Sequence, residues 1–373
     1  MAVRTREEYE DVLAAVGACI SVRIPVLLWG PPGAGKTSVI ESATGLGWMV
    51  ETLVISHYEP SDLAGLPMLD GGQVVLAPPG WAKRLAEADT PAIAFFDEFS
   101  TASPALQAAA LRPLTHYKVG DLQLPETVSF VAAANPADVA AAGWELAAPT
   151  ANRFCHLDWD LPLEVYAECL VSGAWPILPV GPLPDCFGAV LDQQRAKIAG
   201  FLRARSSQLS KIPENATDRG RAYPTPRTWD YAGRLSAYAI AGGASEAVTR
   251  LLVAGCVGDL VAHEFLAFAR MNDLPDPEDV LAGYYTFAGT KPDRTYVILQ
   301  SVLAAVQRDA SPDRWTAGVK ACARAATEVG IDPAVPVVRA LLRPGARPAG
   351  AALPAEIKVF APVLALAGLL PAV

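Results

Sequence analysis

Gly30-Pro31-Pro32-Gly33-Ala34-Gly35-Lys36-Thr37 follows directly on the apolar run Pro25-Val26-Leu27-Leu28-Trp29. The stretch fits the phosphate-loop pattern G-x-x-x-x-G-K-[ST], and the run before it reads as a buried strand, the context in which that pattern carries meaning. Glycines let the backbone curl so that several N–H groups face one anion, the next helix adds its positive end, and Lys36 adds a full charge. Thr37 then stands where a hydroxyl can hold Mg²⁺. A glycine-rich turn merely joining strand to helix would need neither the lysine nor the threonine, so the chain reads as a nucleoside triphosphatase.

Outward from this loop, residues 1–158 alternate short apolar runs with helical patterns, the signature of a parallel sheet flanked by helices. The expected strands are Val26–Trp29, Val50–Ile55, Ala92–Phe96, Val128–Ala134 and Phe154–Leu157. Beyond Trp159 the strand signals fade, and helices are expected over Trp229–Ala241, Glu246–Ala269 and Arg294–Arg308, with loops over Pro176–Pro184 and Lys211–Arg221.

The run Ala92-Ile93-Ala94-Phe95-Phe96 ends in Asp97-Glu98, two acids at the carboxyl end of a buried strand, where open α/β sheets bind their ligands. Asp97 is expected to hold Mg²⁺, and Glu98 to orient or deprotonate the attacking water. Two adjacent acids on a strand point to opposite faces, so one can serve the metal while the other reaches the nucleophile. The next apolar run, Val128–Ala134, ends in Asn135, whose amide can donate and accept toward water and γ-phosphate; it is equally placed to start a turn before Pro136. Arg153, in Asn152-Arg153-Phe154, stands just before the fifth strand, where a guanidinium could reach a neighbouring subunit's γ-phosphate or close a structural ion pair.

These elements, in this chain order, resemble those of the AAA+ ATPases, in particular the MoxR-like branch. The likeness rests on residues 30–37 as Walker A, Phe95-Phe96-Asp97-Glu98 as Walker B, Asn135 as sensor 1 and Asn152-Arg153-Phe154 as the arginine-finger segment. Glu59-Pro60-Ser61-Asp62-Leu63-Ala64-Gly65 is similar to the segment after the second strand in that branch, and Leu114–Leu124, with Gly120-Asp121, to its hairpin before sensor 1. Pro224-Thr225-Pro226-Arg227-Thr228-Trp229 resembles sensor 2, which implies that Arg227 touches the γ-phosphate of its own subunit. The finger segment has Asn before Arg where relatives often have Asp or Ser, and Arg112 in Leu111-Arg112-Pro113 is a second candidate for that duty.

The resemblance implies a P-loop NTPase core of the α/β class, with a parallel five-stranded sheet flanked by helices, over residues 1–158. An all-α lid over 159–300 and a helical C-terminal extension over 301–373 would follow. It also implies ATP and Mg²⁺ as cofactors, with Gly30 to Thr37 and Ser38 on the phosphates and Thr37 and Asp97 on the metal. Glu98, Asn135, Arg153 and Arg227 would form the catalytic set. Relatives assemble into rings, usually hexamers, and commonly remodel or activate a client protein, often one with a von Willebrand factor A domain. Two other readings stay open: a nucleic-acid motor of the MCM or helicase kind, and a low-turnover nucleotide switch.

Composition bounds these choices. At 373 residues the chain exceeds what one hydrophobic core usually supports, so two or three domains are expected. With 52% hydrophobic and 18% charged residues it can bury a large core. A net charge of −9 weighs against a protein that coats nucleic acid, which would cluster Lys and Arg. The six cysteines show no C-x-x-C pair and read as buried, reduced thiols of a cytoplasmic protein, and the four histidines show no metal-ligand spacing. Glu7, Glu8, Glu10 and Asp11 precede the apolar stretch Val12–Ile20, so an amphipathic helix is expected there rather than a signal peptide. The apolar end Val359–Val373 falls short of the roughly 18 to 20 residues of a membrane span and reads as a buried closing helix. Trp81, Trp144, Trp159 and Trp229 read as core or interface anchors.

Overall fold

The computed structural model describes residues 5–136, 144–271, 274–361 and 363. The expectation of a closing helix over Val359–Val373 falls for the most part outside them. Five strands form one parallel sheet: β1 (Val26–Trp29), β2 (Met49–Val54), β5 (Ala92–Asp97), β8 (Val128–Ala134) and β9 (Cys155–Asp158), in the order β2-β5-β8-β1-β9. These are the five expected strands, two of them in register with the sequence reading and three shifted or extended by one residue. β1, β8 and most of β5 are buried at every position, as a sheet covered on both faces requires, which is why they read as unbroken apolar runs.

Register places the ends of the strands. Val26 pairs with Val131 and Cys155, and Trp29 with Ala134 and Asp158, so residues 30, 135 and 159 leave the sheet together at one edge. Val54 pairs with Asp97, bringing the acid pair to the same edge. Leu27, Phe96, Phe99, Phe130 and Phe154 share a core with Trp81 beneath this edge, with Phe96 between the rings of Trp81, Phe99 and Phe130.

Two short antiparallel ribbons were not both foreseen. β3 (Leu66–Asp70) pairs with β4 (Gln73–Ala77), a hairpin with no counterpart in the sequence reading. β6 (Lys118–Val119) pairs with β7 (Leu122–Gln123) inside the expected hairpin segment. Gly120, at φ 58, lies so close to β4 that a Cβ there would sit 2.4 Å from the Leu76 carbonyl oxygen. Asp121 closes the contact by accepting from the Leu76 N–H and donating its own N–H to the Leu76 carbonyl.

Several helices open on a side-chain cap, as at Thr5, Ser103, Thr225 and Ser311. The amphipathic helix expected near the N-terminus spans Arg6–Val22, opened by a Thr5–Glu8 capping box and closed at Arg23 in the left-handed conformation. It packs on β1, β8 and β9 alongside the helix Glu246–Val257. The single helix expected over Glu246–Ala269 is two, Glu246–Val257 and Asp259–Met271. Gly258, at φ 85 and against the Ala222 carbonyl, breaks it, because that conformation strains any residue with a Cβ.

Contacts divide the chain into two compact units: Met1–Phe187 with Gln208–His263, and Gly188–Ser207 with Glu264–Val373. The helices Pro226–Ala241 and Glu246–Val257, read from sequence as lid, thus belong to the sheet-bearing unit. The second unit is helical and has its own core, centred on Phe287, Ile298, Val302, Trp315, Val338 and Phe360. Among the described residues no helix is long and apolar enough to cross a membrane. Five of the six cysteines are buried, and Cys186 is exposed.

Truncating Phe96 should leave a cavity among three rings and cost about 3 to 5 kcal/mol of unfolding free energy. Val74 on the exposed hairpin has no such contacts, and its truncation should cost less than about 0.5 kcal/mol. Urea unfolding of Phe96→Ala and Val74→Ala checks the contrast.

Candidate functional site

The phosphate loop leaves β1 at Gly30 and enters the helix Lys36–Glu41. Gly33 and Gly35 both take positive φ, 75° and 74°, as a backbone concavity lined with N–H groups demands. Gly30 itself has no room for a side chain, since a Cβ would lie 2.4 Å from the Trp159 carbonyl oxygen. Lys36 is almost wholly buried, and its ammonium donates to the carbonyls of Gly30 (2.8 Å) and Pro31 (2.9 Å) and reaches Asn135 Oδ1 at 3.4 Å. Burial lowers its pKa, and Asp97 acts against that shift.

Thr37 Oγ1 donates to Asp97 Oδ2 at 2.8 Å. This hydroxyl and carboxylate fit the protein side of an octahedral Mg²⁺ site, which otherwise uses water and phosphate oxygens and needs no cage of three or more acids. The strand ends at Asp97, so Glu98 does not project by strand alternation as the sequence reading supposed. Glu98 sits at φ 55, ψ 35, a left-handed turn that a residue with a long side chain adopts at a cost. Its N–H donates to Asp97 Oδ1, and its exposed carboxylate accepts from Ser56 Oγ at 3.2 Å. Asn135 is anchored through its N–H to Ser100 Oγ at 3.1 Å. Lys36, Thr37, Asp97, Glu98 and Asn135 therefore gather at one edge of the sheet.

Arg153 and Arg227 gather at the other. Arg153 precedes Cys155, the partner of Val26 at the start of β1, so the length of that strand, roughly 13 Å, separates this end from the loop. Its guanidinium donates from Nε to Thr115 Oγ1 at 2.5 Å and from Nη1 to the Pro149 carbonyl. Arg227 Nη1 donates to Asn152 Oδ1 at 3.3 Å, and Thr225, which caps the helix Pro226–Ala241, donates to the same oxygen at 3.1 Å. The Arg153 pKa is lowered, first by burial and then by Arg227. Among the described residues neither guanidinium has a carboxylate within ion-pair distance. Arg112 lies one turn before Thr115 on the helix Pro104–His116.

Sequence reasoning took Trp159 as a core or interface anchor but gave neither it nor His156 a part in holding these edges together. Trp159 Nε1 donates to the Ala34 carbonyl at 2.8 Å, and its own N–H donates to the Trp29 carbonyl, so one residue grips the loop at both ends. His156 accepts from Trp29 Nε1 at Nδ1 (3.0 Å) and faces the Ala151 carbonyl through Nε2 (2.9 Å). These partners fix the neutral tautomer with its proton on Nε2. The ring thereby links the residue before the loop to the residue before Asn152 and Arg153. Only an aromatic residue next to each strand end hinted at this in the sequence.

The His156 pKa is lowered to about 4, chiefly by burial; the Ala151 carbonyl and Asp158 oppose the shift and Arg221 adds to it. An unfolded histidine titrates near 6.5. As pH falls from about 6.5 to about 4, the unfolded chain takes up a proton that the folded chain refuses, so stability drops through that window and the loss is complete below it. The expected loss is about 3 kcal/mol. His156→Gln, which has no titrating ring, should lack that part of the pH dependence in urea unfolding between pH 7 and pH 4.

No curated protein matches the chain. Solved structures that resemble it include a Cytophaga hutchinsonii protein described as an ATPase, 14% identical over 70% of this chain and 92% of that one, with a TM-score of 0.40. A full-length MCM homolog from Methanopyrus kandleri is 15% identical over 72% of this chain and 56% of that one, with a TM-score of 0.36. The RuvB Holliday junction branch migration motor of Thermotoga maritima is 16% identical over 74% and 75%, with a TM-score of 0.28. Residues 25–154, which run from the first strand through the loop and the acid pair to the finger segment, match the AAA domain of the dynein-related subfamily.

Proposed function

We propose that this protein is a ring-forming AAA+ ATPase of the MoxR-like branch that hydrolyses ATP to remodel or activate a client protein. The observation that carries this reading is the division of the site. The phosphate loop and acids lie at one edge of the sheet, and two guanidiniums with no carboxylate beside them among the described residues lie at the other. Opposite edges of one sheet cannot serve one γ-phosphate. They serve the same phosphate when the guanidiniums come from the neighbouring copy.

On this reading Lys36 exchanges its loop carbonyls for phosphate oxygens, and Asn135, already 3.4 Å from its ammonium, holds the γ-phosphate and the attacking water. Glu98 takes the proton from that water, its carboxylate kept near by Ser56 until then. Mg²⁺ held at Thr37 and Asp97 would neutralise charge across the β- and γ-phosphates. Arg153 and Arg227 stabilise the charge that develops as the phosphoryl group leaves. Arg227 thus acts beside Arg153 on the neighbour's nucleotide rather than on its own subunit's. Leu69 and Val74, 80% and 69% exposed on the β3–β4 hairpin, offer apolar side chains to grip an unfolded segment of a client, and a client with a von Willebrand factor A domain suits the family.

Glu98→Gln should lower turnover by about 10² to 10⁴-fold. ATPase assays with and without single-stranded DNA check this: loss on substitution with no effect of DNA supports the proposal, and stimulation by DNA points to a nucleic-acid motor instead. Shared sites are tested by mixing. Arg153→Ala, Arg227→Ala and Lys36→Ala should each be inactive alone, but Lys36→Ala should restore hydrolysis when mixed with either arginine variant, because it donates the guanidiniums and borrows an intact loop. Rescue of Arg153→Ala without rescue of Arg227→Ala would return Arg227 to its own subunit's site, and rescue of neither would end the shared-site reading.

A further inference from the structure

Cys155, the first residue of β9, meets thiols from two helices. A Cβ on Gly255 of the helix Glu246–Val257 would sit 2.7 Å from Cys155 Sγ, and the sulfur itself lies 3.8 Å from the Leu252 carbonyl. Both contacts belong to the last turn of that helix, which carries Cys256. Cys155 is in side-chain hydrogen-bond contact with Cys256 and also with Cys19 of the helix Arg6–Val22, and all three side chains are fully buried. We propose that these three thiols are a redox-responsive cluster in which a hydroperoxide joins Cys155 by a disulfide to Cys19 or to Cys256, tying β9 to one of the two helices packed on it.

A buried cysteine alone is explained as a small apolar side chain, and Cys322 in the second unit is such a case, its thiol pushed up to about 12 by burial. Cys155 differs because Cys19 and then Cys256 donate to its sulfur and hold its pKa below the ordinary thiol range against the effect of burial. The thiolate is the form that attacks a peroxide. Burial instead raises Cys19 and Cys256, which keep their protons. One central nucleophile and two resolving thiols are thereby set side by side. A cavity of about 290 Å³, with His156, Leu157, Leu251, Ala254 and Gly255 in its wall, comes within one residue of both Cys155 and Cys256. Gly255 is common to the cavity wall and to the Cys155 contact and has no side chain, so only backbone separates a peroxide in the cavity from the sulfur.

The chemistry closes on these groups. Cys155 sulfur attacks one peroxide oxygen and breaks the O–O bond, becoming a sulfenic acid as the first water leaves. The sulfur of Cys19 or Cys256 then displaces the hydroxyl, which departs with that thiol's proton as the second water. Two thiols lose two electrons, and the peroxide takes them up. Bonded sulfurs stand about 2.05 Å apart, closer than any non-bonded contact, so the link shifts β9 against its helix. Arg153 lies two residues before Cys155 and His156 directly after it. On the ATPase reading, on which this one consequence rests, oxidation lowers turnover from the arginine edge and leaves the phosphate loop untouched.

Peptide mapping of the full-length protein after hydrogen peroxide, acid quenching and alkylation tests the cluster. The wild type should yield an intramolecular disulfide from Cys155 to Cys19 or Cys256 that dithiothreitol removes, with Cys322 modified at least about tenfold less and exposed Cys186 reporting that the oxidant acted. Cys155→Ala should leave Cys19 and Cys256 reduced, whereas Cys19→Ala and Cys256→Ala should each cross-link through the remaining pair. Cys155 as inert as Cys322 in the wild type, a reading that needs no variant to fold, would overturn the cluster, as would a Cys19–Cys256 link in Cys155→Ala. Turnover is read separately: peroxide should lower ATP hydrolysis by the wild type severalfold, reversibly with dithiothreitol, and leave that of Cys155→Ala unchanged. Unaltered turnover in the cross-linked protein, or an equal loss in both proteins, would overturn the effect on the arginine edge. An untreated wild type without hydrolysis would overturn the ATPase reading, and the mapping would still decide the cluster.

Discussion

A lysine ammonium buried against two backbone carbonyls sets the terms for the edge of the sheet where the phosphate loop meets the acid pair. Lys36 is 7% exposed, and its nearest compensation is dipolar: the carbonyls of Gly30 and Pro31, then the amide oxygen of Asn135, with Asp97 the one charge that favours its protonation. A cation so placed is stable only if the chain keeps polar oxygens curled around it, and that is what the glycines of the loop allow. The same arrangement is a standing preference for an anion, because phosphate oxygens compensate the charge better than carbonyl dipoles do.

Holding a curled loop in one conformation costs entropy, and tryptophan side chains offset it. Trp159 grips the Ala34 and Trp29 carbonyls, Trp175 lies against Gly35, and Trp29 carries the stacked guanidinium of Arg221 at 4.2 Å on its ring. Each supplies a broad apolar face with few rotatable bonds, so it braces the backbone at small entropic cost, while its N–H, where buried, finds an acceptor. His156 completes this brace toward the opposite edge by joining Trp29 to the Ala151 carbonyl.

What the sequence displayed and what it hid divide along one line. Residues whose chemistry is local to a strand or loop were legible: the runs ending at Trp29, Phe96 and Ala134 announced buried parallel strands, and the residues after them announced the loop, the acids and the amide. Interactions set by tertiary approach were not. Nothing in the pattern of Leu66–Ala77 marks a hairpin, because its side chains face outward and alternate with no buried face to specify them. The pattern around Gly258 reads as one continuous helix, and the close approach of the Ala222 carbonyl from 36 residues upstream, which leaves little room for a Cβ there, has no local trace. The roles of Trp159, Trp175 and His156 depend on contacts across 125, 140 and 127 residues, respectively, and a lone histidine or tryptophan carries no periodic trace of such a partner.

The position of Arg227 shows why motif order alone underdetermines mechanism. From the sequence, a helix starting at Pro226 could have brought its guanidinium to either edge of the sheet. Asn152 decides it: its side-chain oxygen accepts from both the Thr225 hydroxyl that caps the helix and the Arg227 guanidinium, so the start of that helix is held against the residue preceding Arg153. Two like charges brought together raise each other's energy, and the Arg153 pKa is lowered first by burial and then by Arg227. Such a pair, without an acid beside it among the described residues, gains most when an anion of high charge approaches. The phosphate loop of the same chain lies a strand length away, on the far side of β1. On the ring reading proposed above, association of copies and binding of nucleotide would favour one another, because each would present the charge that the other lacks.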